Sequence, residues 1–244
     1  MNLSINNLVK SYGGKTILDQ MAIEVEDIQV LALIGASGSG KSTLLRLIAG
    51  LEAFQSGSIK VNGHTVSEIS DVEYRKKVGF VFQDHNLFPH LTIMENILLV
   101  LEKVHGRVRE EAILEVNSLL NQFGLIEHAD KRPHQMSGGQ AQRASIVRAL
   151  AIAPELVLLD EPTSSLDPIL THEVLNAIKL LAEQKKDFVI VTHEIGFARE
   201  VADYIIFMED GKIIEHGTKD ILLKPQTQKL KDFLNKVLTF VNEM

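Results

Sequence analysis

The chain has 244 residues, of which 45% are hydrophobic and 23% charged, so it suits one large globular domain or two closely joined subdomains. A formal net charge of -7 with scattered lysines and arginines argues against nucleic-acid binding, and zero cysteines exclude disulfides and thiolate metal sites. Residues 1–10 lack a secretory signal and no apolar run could cross a bilayer, so we expect a cytosolic protein that can still dock on a membrane partner.

The N-terminal segment predicts β structure. Hydrophobic residues alternate between Leu3 and Val25 around a polar break at residues 11–14, which is typical of an antiparallel strand pair. Tyr12 ends the first of these strands beside a glycine turn, and its ring could stack on a flat base such as adenine. The ordinary alternative is a half-buried tyrosine at a strand end. Residues 58–61 and the following Asn62-Gly63 turn predict a further short strand.

A glycine-rich turn, GASGSGKS, lies between the apolar run 30–34 and a helical stretch that begins near residue 43. The order strand, turn, helix is the setting in which the pattern G-x-x-x-x-G-K-[ST] binds phosphate. Its glycines let backbone N–H groups turn toward phosphate oxygens, and the helix adds the positive end of its dipole. Lys41 can reach the β- and γ-phosphates, and the Ser42 hydroxyl can bind Mg²⁺.

Gln83 follows a predicted buried strand that runs from Val78 to Phe82. Ligands of open α/β sheets bind at the carboxyl ends of strands, so Gln83 is a candidate to contact Mg²⁺ or the attacking water. A single glutamine after a strand is otherwise an ordinary loop residue.

From about residue 91 to residue 153 the periodicity becomes helical, which predicts an inserted helical subdomain. Thr92 is its first predicted N-cap, and residues 106–111 are a predicted exposed link. Ser137-Gly138-Gly139-Gln140 opens its last helix, and Ser137 with Gln140 fits a capping box. Glycines are poor residues for a first helical turn, so we expect an anion to approach this N-terminus. One chain can hardly bring both this segment and the phosphate loop to one nucleotide, which predicts a head-to-tail dimer.

The apolar run 156–159 ends in Asp160-Glu161-Pro162, which predicts a buried strand with an acidic tip near the phosphates. Asp160 is a candidate for the Mg²⁺ shell, and Glu161 is a candidate base that polarises the attacking water. Adjacent carboxylates are also common surface pairs. His193 follows another predicted core strand and could hydrogen-bond the γ-phosphate, although a single histidine is more often a satisfied core residue. The remaining predictions are a hairpin over residues 204–214 and a helical tail over residues 221–241, interrupted at Pro225.

In this order, these motifs resemble those of the nucleotide-binding subunit of an ATP-binding cassette transporter, over nearly the whole chain. The resemblance implies an α/β fold, with a P-loop NTPase core of a mixed sheet and an antiparallel β subdomain, plus an inserted α-helical subdomain. Within a single ATPase domain over 1–240, it implies a core of 1–90 and 154–220, a helical signature subdomain over 91–153 and a tail over 221–244.

The resemblance also implies a role for each motif residue. Glu161 is the catalytic base, His193 the switch histidine and Gln83 the Q-loop residue, while Asp160 belongs to the Walker B motif. Mg²⁺ would be bound by Ser42, Gln83 and Asp160. The implied ATP-binding residues are Tyr12 as the adenine-stacking aromatic, Gly35, Ser37, Gly38, Ser39, Gly40, Lys41, Ser42 and Thr43 of the Walker A loop, Ser137, Gly138, Gly139 and Gln140 of the signature motif, and Asp167 of the D-loop.

The family works as a head-to-tail dimer of nucleotide-binding subunits on transmembrane permease subunits, at the cytoplasmic face of the inner membrane, where importers also use a substrate-binding protein. Residues 191–203, VTHEIGFAREVAD, resemble the subfamily that serves bacterial importers of polar amino acids such as glutamine, arginine or histidine. We expect the permease to bind beside the Q-loop at Leu87, Phe88 and Pro89.

Three residues depart from the family pattern, each mildly: Ala36 replaces a common proline, Met136 a leucine and Ser165 an alanine. Four other functions stay open from the sequence. They are an importer of another cargo such as methionine, an exporter, a soluble ATPase of DNA repair or translation, and a nucleotide-binding regulator.

Overall fold

The computed structural model describes residues 1–66 and 71–242, with side chains as far as residue 237. It contains two compact units, the first formed by residues 1–71 and 187–244 and the second by residues 72–186. The helical region expected over 91–153 lies within the second unit, which extends beyond it on both sides. None of the helices in the described part of the chain is long and apolar enough to cross a membrane.

The strands are β1 (Leu3–Tyr12), β2 (Lys15–Val25), β3 (Val30–Ile34), β4 (Ser56–Val61), β5 (His64–Val66), β6 (Val78–Val81), β7 (Leu156–Asp160), β8 (Phe188–Val191), β9 (Tyr204–Glu209) and β10 (Lys212–Thr218). The helices are α1 (Lys41–Ile48), α2 (Val72–Lys76), α3 (Ile93–Lys103), α4 (Arg109–Gln122), α5 (Gly138–Ala151), α6 (Pro168–Glu183), α7 (Ile195–Val201) and α8 (Gln228–Asn242). Short 3₁₀ turns occupy Ile126–His128, Pro133–Gln135 and Lys219–Leu222.

An antiparallel sheet in the first unit has the strand order β2-β1-β4-β5. The predicted pairing of β1 with β2 is confirmed, with Leu3 opposite Val25 and Tyr12 opposite Lys15. Leu3, Ile5 and Leu8 are buried, as the hydrophobic pattern predicts, although the register shifts between Ile5 and Leu8. The Asn62-Gly63 turn connects β4 to β5, and both of its residues have positive φ, as a tight hairpin turn of this kind requires.

The second set of strands in this unit has the order β10-β9-β3-β8. β3 runs parallel to both β8 and β9, and every residue of β3 and β8 is buried. Such continuous apolar burial is typical of a parallel sheet that is covered on both faces. The closing hairpin of β9 and β10 is also confirmed, with Lys212 opposite Glu209.

The C-terminal tail packs on the first unit through one face of α8. Leu230 and Leu234 are buried, and the Phe233 ring lies 5.2 Å from the Phe207 ring, measured between centroids. Glu215 of β10 fixes the entry to this helix, because its carboxylate accepts hydrogen bonds from the Gln226 and Thr227 N–H groups at 2.9 and 2.8 Å. The tail is therefore helical beyond Pro225, as predicted, and preceded by a 3₁₀ turn.

The second unit combines two parallel strands, β6 and β7, with helices α2 to α6. Thr92 caps α3 in a capping box with Glu95, which confirms the predicted helix start. The predicted link between α3 and α4 is shorter than expected, since α4 begins at Arg109 and the charges at 110 and 111 lie in its first turn. Negative charge is favourable there because it interacts with the positive end of the helix dipole.

Candidate functional site

The glycine-rich loop lies where the sequence predicts it, between the carboxyl end of β3 and the first turn of α1. Gly35 and Gly40 have φ values of 146° and 97°. A Cβ atom on Gly35 would lie 2.1 Å from the Met208 carbonyl oxygen, and one on Gly40 would lie 2.6 Å from Leu18 Cδ2. Both glycines are thus required by conformation and by space. The α1 N-terminus has no side-chain cap, and the positive end of a helix dipole attracts an anion.

Lys41 is only 3% exposed, and its ammonium is held inside the loop. It donates hydrogen bonds to the carbonyl oxygens of Gly35 and Ala36, both at 2.9 Å. Ser37 and Gly38 are exposed, whereas Ser39 is buried and its carbonyl oxygen accepts a hydrogen bond from the Gly211 N–H at 3.2 Å. The loop therefore has a buried, hydrogen-bonded base and an exposed rim, with a buried cation beneath the rim.

His193 lies at the same edge of the first unit as the loop. β3 and β8 run parallel with Leu33 opposite Val191, so Gly35 and His193 each follow this pair by two residues. His193 is exposed, which excludes the alternative of a satisfied core histidine. Tyr12, at the end of β1, is 43% exposed.

The second unit brings Gln83 and the two carboxylates together by strand register. β6 and β7 are parallel with Val81 opposite Leu159, so Gln83 and Glu161 each follow this pair by two residues. Asp160 is 1% exposed at the end of the wholly buried β7, which argues against an ordinary surface pair of carboxylates. Glu161 has a φ of 43°, a conformation that is uncommon for a residue other than glycine and that occurs often at functional sites.

The signature segment forms the predicted capping box at the start of α5. Ser137 Oγ accepts from the Gln140 N–H at 3.2 Å, and Gln140 Oε1 accepts from the Ser137 N–H at 3.0 Å. A Cβ on Gly138 would lie 3.0 Å from Leu166 Cδ2, and one on Gly139 would lie 3.1 Å from Leu170 Cδ2. These are close contacts with leucine side chains, so little space surrounds the two glycines. The expected approach of an anion to this helix N-terminus stays a prediction.

Asp167 has a local structural role in addition to its assignment to nucleotide binding. Its Oδ1 accepts hydrogen bonds from the Ile169 and Leu170 N–H groups at 2.9 and 3.0 Å, which caps α6. Pro168 occupies the first helical position, where its missing N–H costs nothing.

Sequence reasoning missed the side chains that hold the loop after β6. Gln142 of α5 holds the residue before Gln83, because its Nε2 donates to the Phe82 carbonyl at 3.2 Å. Arg148 of α5 holds the residues after Gln83, because it donates to the carbonyls of His85 and Asn86 at 3.2 and 2.8 Å. Burial lowers the pKa of Arg148 from its ordinary value, but arginine remains charged at any physiological pH. The helix that begins with the signature segment thus also fixes the backbone on both sides of Gln83.

Asn96 of α3 holds the next stretch of this loop and is fully buried. One signal could have identified it, a polar residue within an apolar stripe that includes Ile93 and Ile97.

The structure also corrects the surface expected to bind the permease, because Leu87 is only 7% exposed whereas Phe88 is 43% exposed.

A glycine loop that follows a buried parallel strand and precedes an uncapped helix N-terminus defines a P-loop nucleotide-binding protein. Comparison with known families makes this assignment narrower. Residues 18–164 match the family model described as "ABC transporter", so the chain belongs to the ABC transporter family. It is an ATP-binding, ATP-hydrolysing transporter subunit, which confirms the resemblance and the fold class predicted from the sequence.

The chain is similar to the L-cystine transport system ATP-binding protein TcyN of Escherichia coli (strain K12), with 45% identity over 97% of this chain and 98% of that protein. It is 44% identical to the glutamine transport ATP-binding protein GlnQ of the same strain, over 96% and 99% of the two chains. Among solved structures, the cassette MJ0796 in its dimeric post-hydrolysis state with ADP and Pi matches with a TM-score of 0.76 and 31% identity, over 89% of this chain and 98% of that one.

Proposed function

We propose that this ATPase drives the uptake of polar amino acids by a bacterial membrane transporter. The observation that carries the cargo class is the identity of 44–45% with nearly full-length relatives named for cystine and glutamine transport. Cargo does not follow from the nucleotide-binding residues, because the substrate of such a transporter meets other subunits.

The residues of the two units have different parts in the proposed reaction. The N–H groups of the loop over residues 35–43 bind the phosphates, together with the charge of Lys41. Glu161 accepts a proton from the water that attacks the γ-phosphate, while Gln83 orients that water and His193 hydrogen-bonds the γ-phosphate. Their positions at carboxyl ends of parallel strands support these roles, because ligands of α/β sheets bind there.

Mg²⁺ fits the donors that we assign to it, the Ser42 hydroxyl, the Gln83 amide oxygen and the Asp160 carboxylate, since magnesium prefers oxygen ligands and few carboxylates. No cluster of three or more His, Cys, Asp or Glu side chains suited to a metal occurs within the described ranges, and a magnesium ion bound with ATP needs none. The ion would neutralise charge on the β- and γ-phosphates.

We further propose that two nucleotide-binding subunits associate head to tail, so that the α5 N-terminus of each contacts the nucleotide of the other. The uncapped first turn of α1 and the capped signature turn of α5 both present N–H groups to an anion. The similarity to MJ0796, which is dimeric, supports the association of two subunits. The chain would lie at the cytoplasmic face of the membrane as a peripheral subunit.

A groove in the second unit is the proposed docking site of the permease. It has a volume of about 330 Å³, with mainly apolar walls that include Phe82, Val100 and Val104. Arg148, which holds the loop after Gln83, also lines it. A helix of the permease seated here would contact Arg148, which holds the loop after Gln83, and this contact would couple transport to hydrolysis.

The substitution Glu161→Gln tests the chemistry. It removes the base but keeps the shape, so ATP binding should persist while the rate of hydrolysis falls about a hundredfold or more and an ATP-bound dimer accumulates on gel filtration. Glu183→Gln, at the exposed end of α6, is the matched control and should hydrolyse ATP normally. Normal hydrolysis by the Glu161 variant would remove this residue from its proposed role.

The cargo is tested by purifying the tagged chain from gently solubilised membranes and reconstituting what is recovered. Recovery of a polytopic permease would support the proposal if the ATPase activity of the reconstituted complex rises when an amino-acid receptor protein is added. Recovery of soluble partners alone would leave the ATPase intact and contradict its coupling to transport.

A further inference from the structure

Tyr12 is held by a cluster of charged side chains that none of the motifs includes. Its hydroxyl donates a hydrogen bond to Glu52 Oε2, just beyond α1. Lys10 lies 3.1 Å from the same carboxylate oxygen, measured from Nζ, and Arg46 lies 3.9 Å from the other oxygen, measured from Nη1. Lys10 also donates to the Ala53 carbonyl at 2.6 Å. The end of β1 is thereby tied to the helix that follows the phosphate loop.

The hydrogen bond in this cluster joins the Tyr12 phenol to the Glu52 carboxylate. Burial, followed by the hydrogen bond and the charge of Glu52, raises the pKa of Tyr12 to about 12, so the phenol remains a donor. Burial alone would raise the pKa of Glu52, but hydrogen bonds from Tyr12 and Lys10 and the nearby positive charges hold it below its ordinary value. An ionised acceptor and a neutral donor make a strong, directional hydrogen bond.

Lys10 also determines which face of the ring is available. Its ammonium lies over the Tyr12 ring, 4.4 Å from the centroid, which is a cation–π contact. One face is therefore occupied, and a flat ligand can stack only on the other. Because the hydroxyl is held at the same time, the ring loses little freedom when a ligand binds, which favours affinity.

We propose that Glu52 and Lys10 are positioning residues that hold the Tyr12 ring for stacking with the adenine of ATP. The proposal rests on ATP binding by the phosphate loop. Arg46, which lies in the last turn of α1, contacts the Glu52 carboxylate that holds the Tyr12 hydroxyl. The base and the phosphates would therefore bind to parts of one connected structure, because α1 begins at Lys41.

The test compares a ligand that has a base with one that has none. KM and kcat are measured for ATP, and inorganic tripolyphosphate is used as a competitor for the phosphate loop alone. Tyr12→Ala should raise KM about tenfold, whereas Glu52→Ala and Lys10→Met should each raise it about three- to fivefold. In all three, kcat and the inhibition constant of tripolyphosphate should stay unchanged. Glu52→Gln still offers an oxygen acceptor but lacks the charge that pairs with Lys10, so its KM should lie between those of the wild type and Glu52→Ala. The control Glu24→Ala, on the exposed side of β2, should remain near the wild type.

A double-mutant cycle isolates the interaction between the two side chains. Tyr12→Phe keeps the ring but removes the hydroxyl. The double variant Tyr12→Phe/Glu52→Ala should therefore have a KM for ATP no higher than that of the single variant with the higher KM. Full additivity, an unchanged KM in Glu52→Ala, or an equal loss of tripolyphosphate affinity would each overturn the positioning role while leaving ATP hydrolysis in place. A wild-type chain that binds no ATP would instead refute the proposed function itself.

Discussion

Asn96 is a fully buried amide that fastens the loop between Gln83 and α3. Its Oδ1 accepts from the Phe88 N–H at 2.7 Å, and its Nδ2 donates to the carbonyl oxygens of Phe88, Leu91 and Thr92 at 3.1, 3.3 and 2.9 Å. Asn96→Asp is nearly isosteric but replaces the Nδ2 amide group, the donor of this side chain, by an oxygen. The three carbonyls would then face a carboxylate instead of an NH₂ group.

The expected cost follows from the other partners of these carbonyls. Phe88 O still accepts from the Leu91 N–H at 3.2 Å, and Thr92 O still accepts from the Asn96 N–H at 2.9 Å. One acceptor therefore loses its main donor, and all three gain repulsion, so we expect a loss of about 2–3 kcal/mol in the free energy of unfolding. For a chain of this size this corresponds to a fall in Tm of about 5–10 °C.

The assay is thermal unfolding at several pH values, with Asn7→Asp, at an exposed position of β1, as the control. The control should change stability by no more than about 0.5 kcal/mol. The stability deficit of Asn96→Asp should shrink as the pH falls, because protonation of the introduced carboxylate restores one donor. Wild-type stability in Asn96→Asp, or a deficit that the control shares, would refute the assigned hydrogen bonds.

Two further predictions concern side chains that hold one segment to another. Arg148→Met removes both hydrogen bonds to the loop after Gln83, so it should lower the free energy of unfolding by about 2–3 kcal/mol, measured by urea denaturation. The control is Arg199→Met at an exposed position. A smaller loss in Arg148→Met than in this control would contradict the prediction. For Glu215, burial alone would raise the pKa, but hydrogen bonds from residues 226 and 227 hold it below its ordinary value. A lowered folded pKa means that the stabilisation is present above the usual glutamate range and is lost as the pH falls through the folded value, so the Tm gap between wild type and Glu215→Gln should be largest at pH 7 and should narrow on acidification.

Much of the local structure could be predicted because it depends on neighbours within a few residues. A few neighbouring residues predict each of these elements: the strand, turn and helix around Lys41, the caps at Thr92 and Ser137, and the hairpin at Asp210-Gly211. Periodicity, capping chemistry and turn preferences act at that range, and they identified the family as well. The start of α4 was misjudged because charges around a glycine are equally typical of a loop and of a first helical turn.

Only the tertiary structure decided which side chains hold these elements together. Glu52 meets Tyr12 across 40 residues and Gln142 meets Phe82 across 60, and no local pattern records either contact. The closeness of Leu166 and Leu170 to the signature glycines is a further contact that a capping pattern cannot reveal. The sequence by itself therefore determined the chemistry that this ATPase carries. The tertiary structure determined how that chemistry is held, because hydrogen bonds and close packing form between segments that only folding brings within a few ångströms.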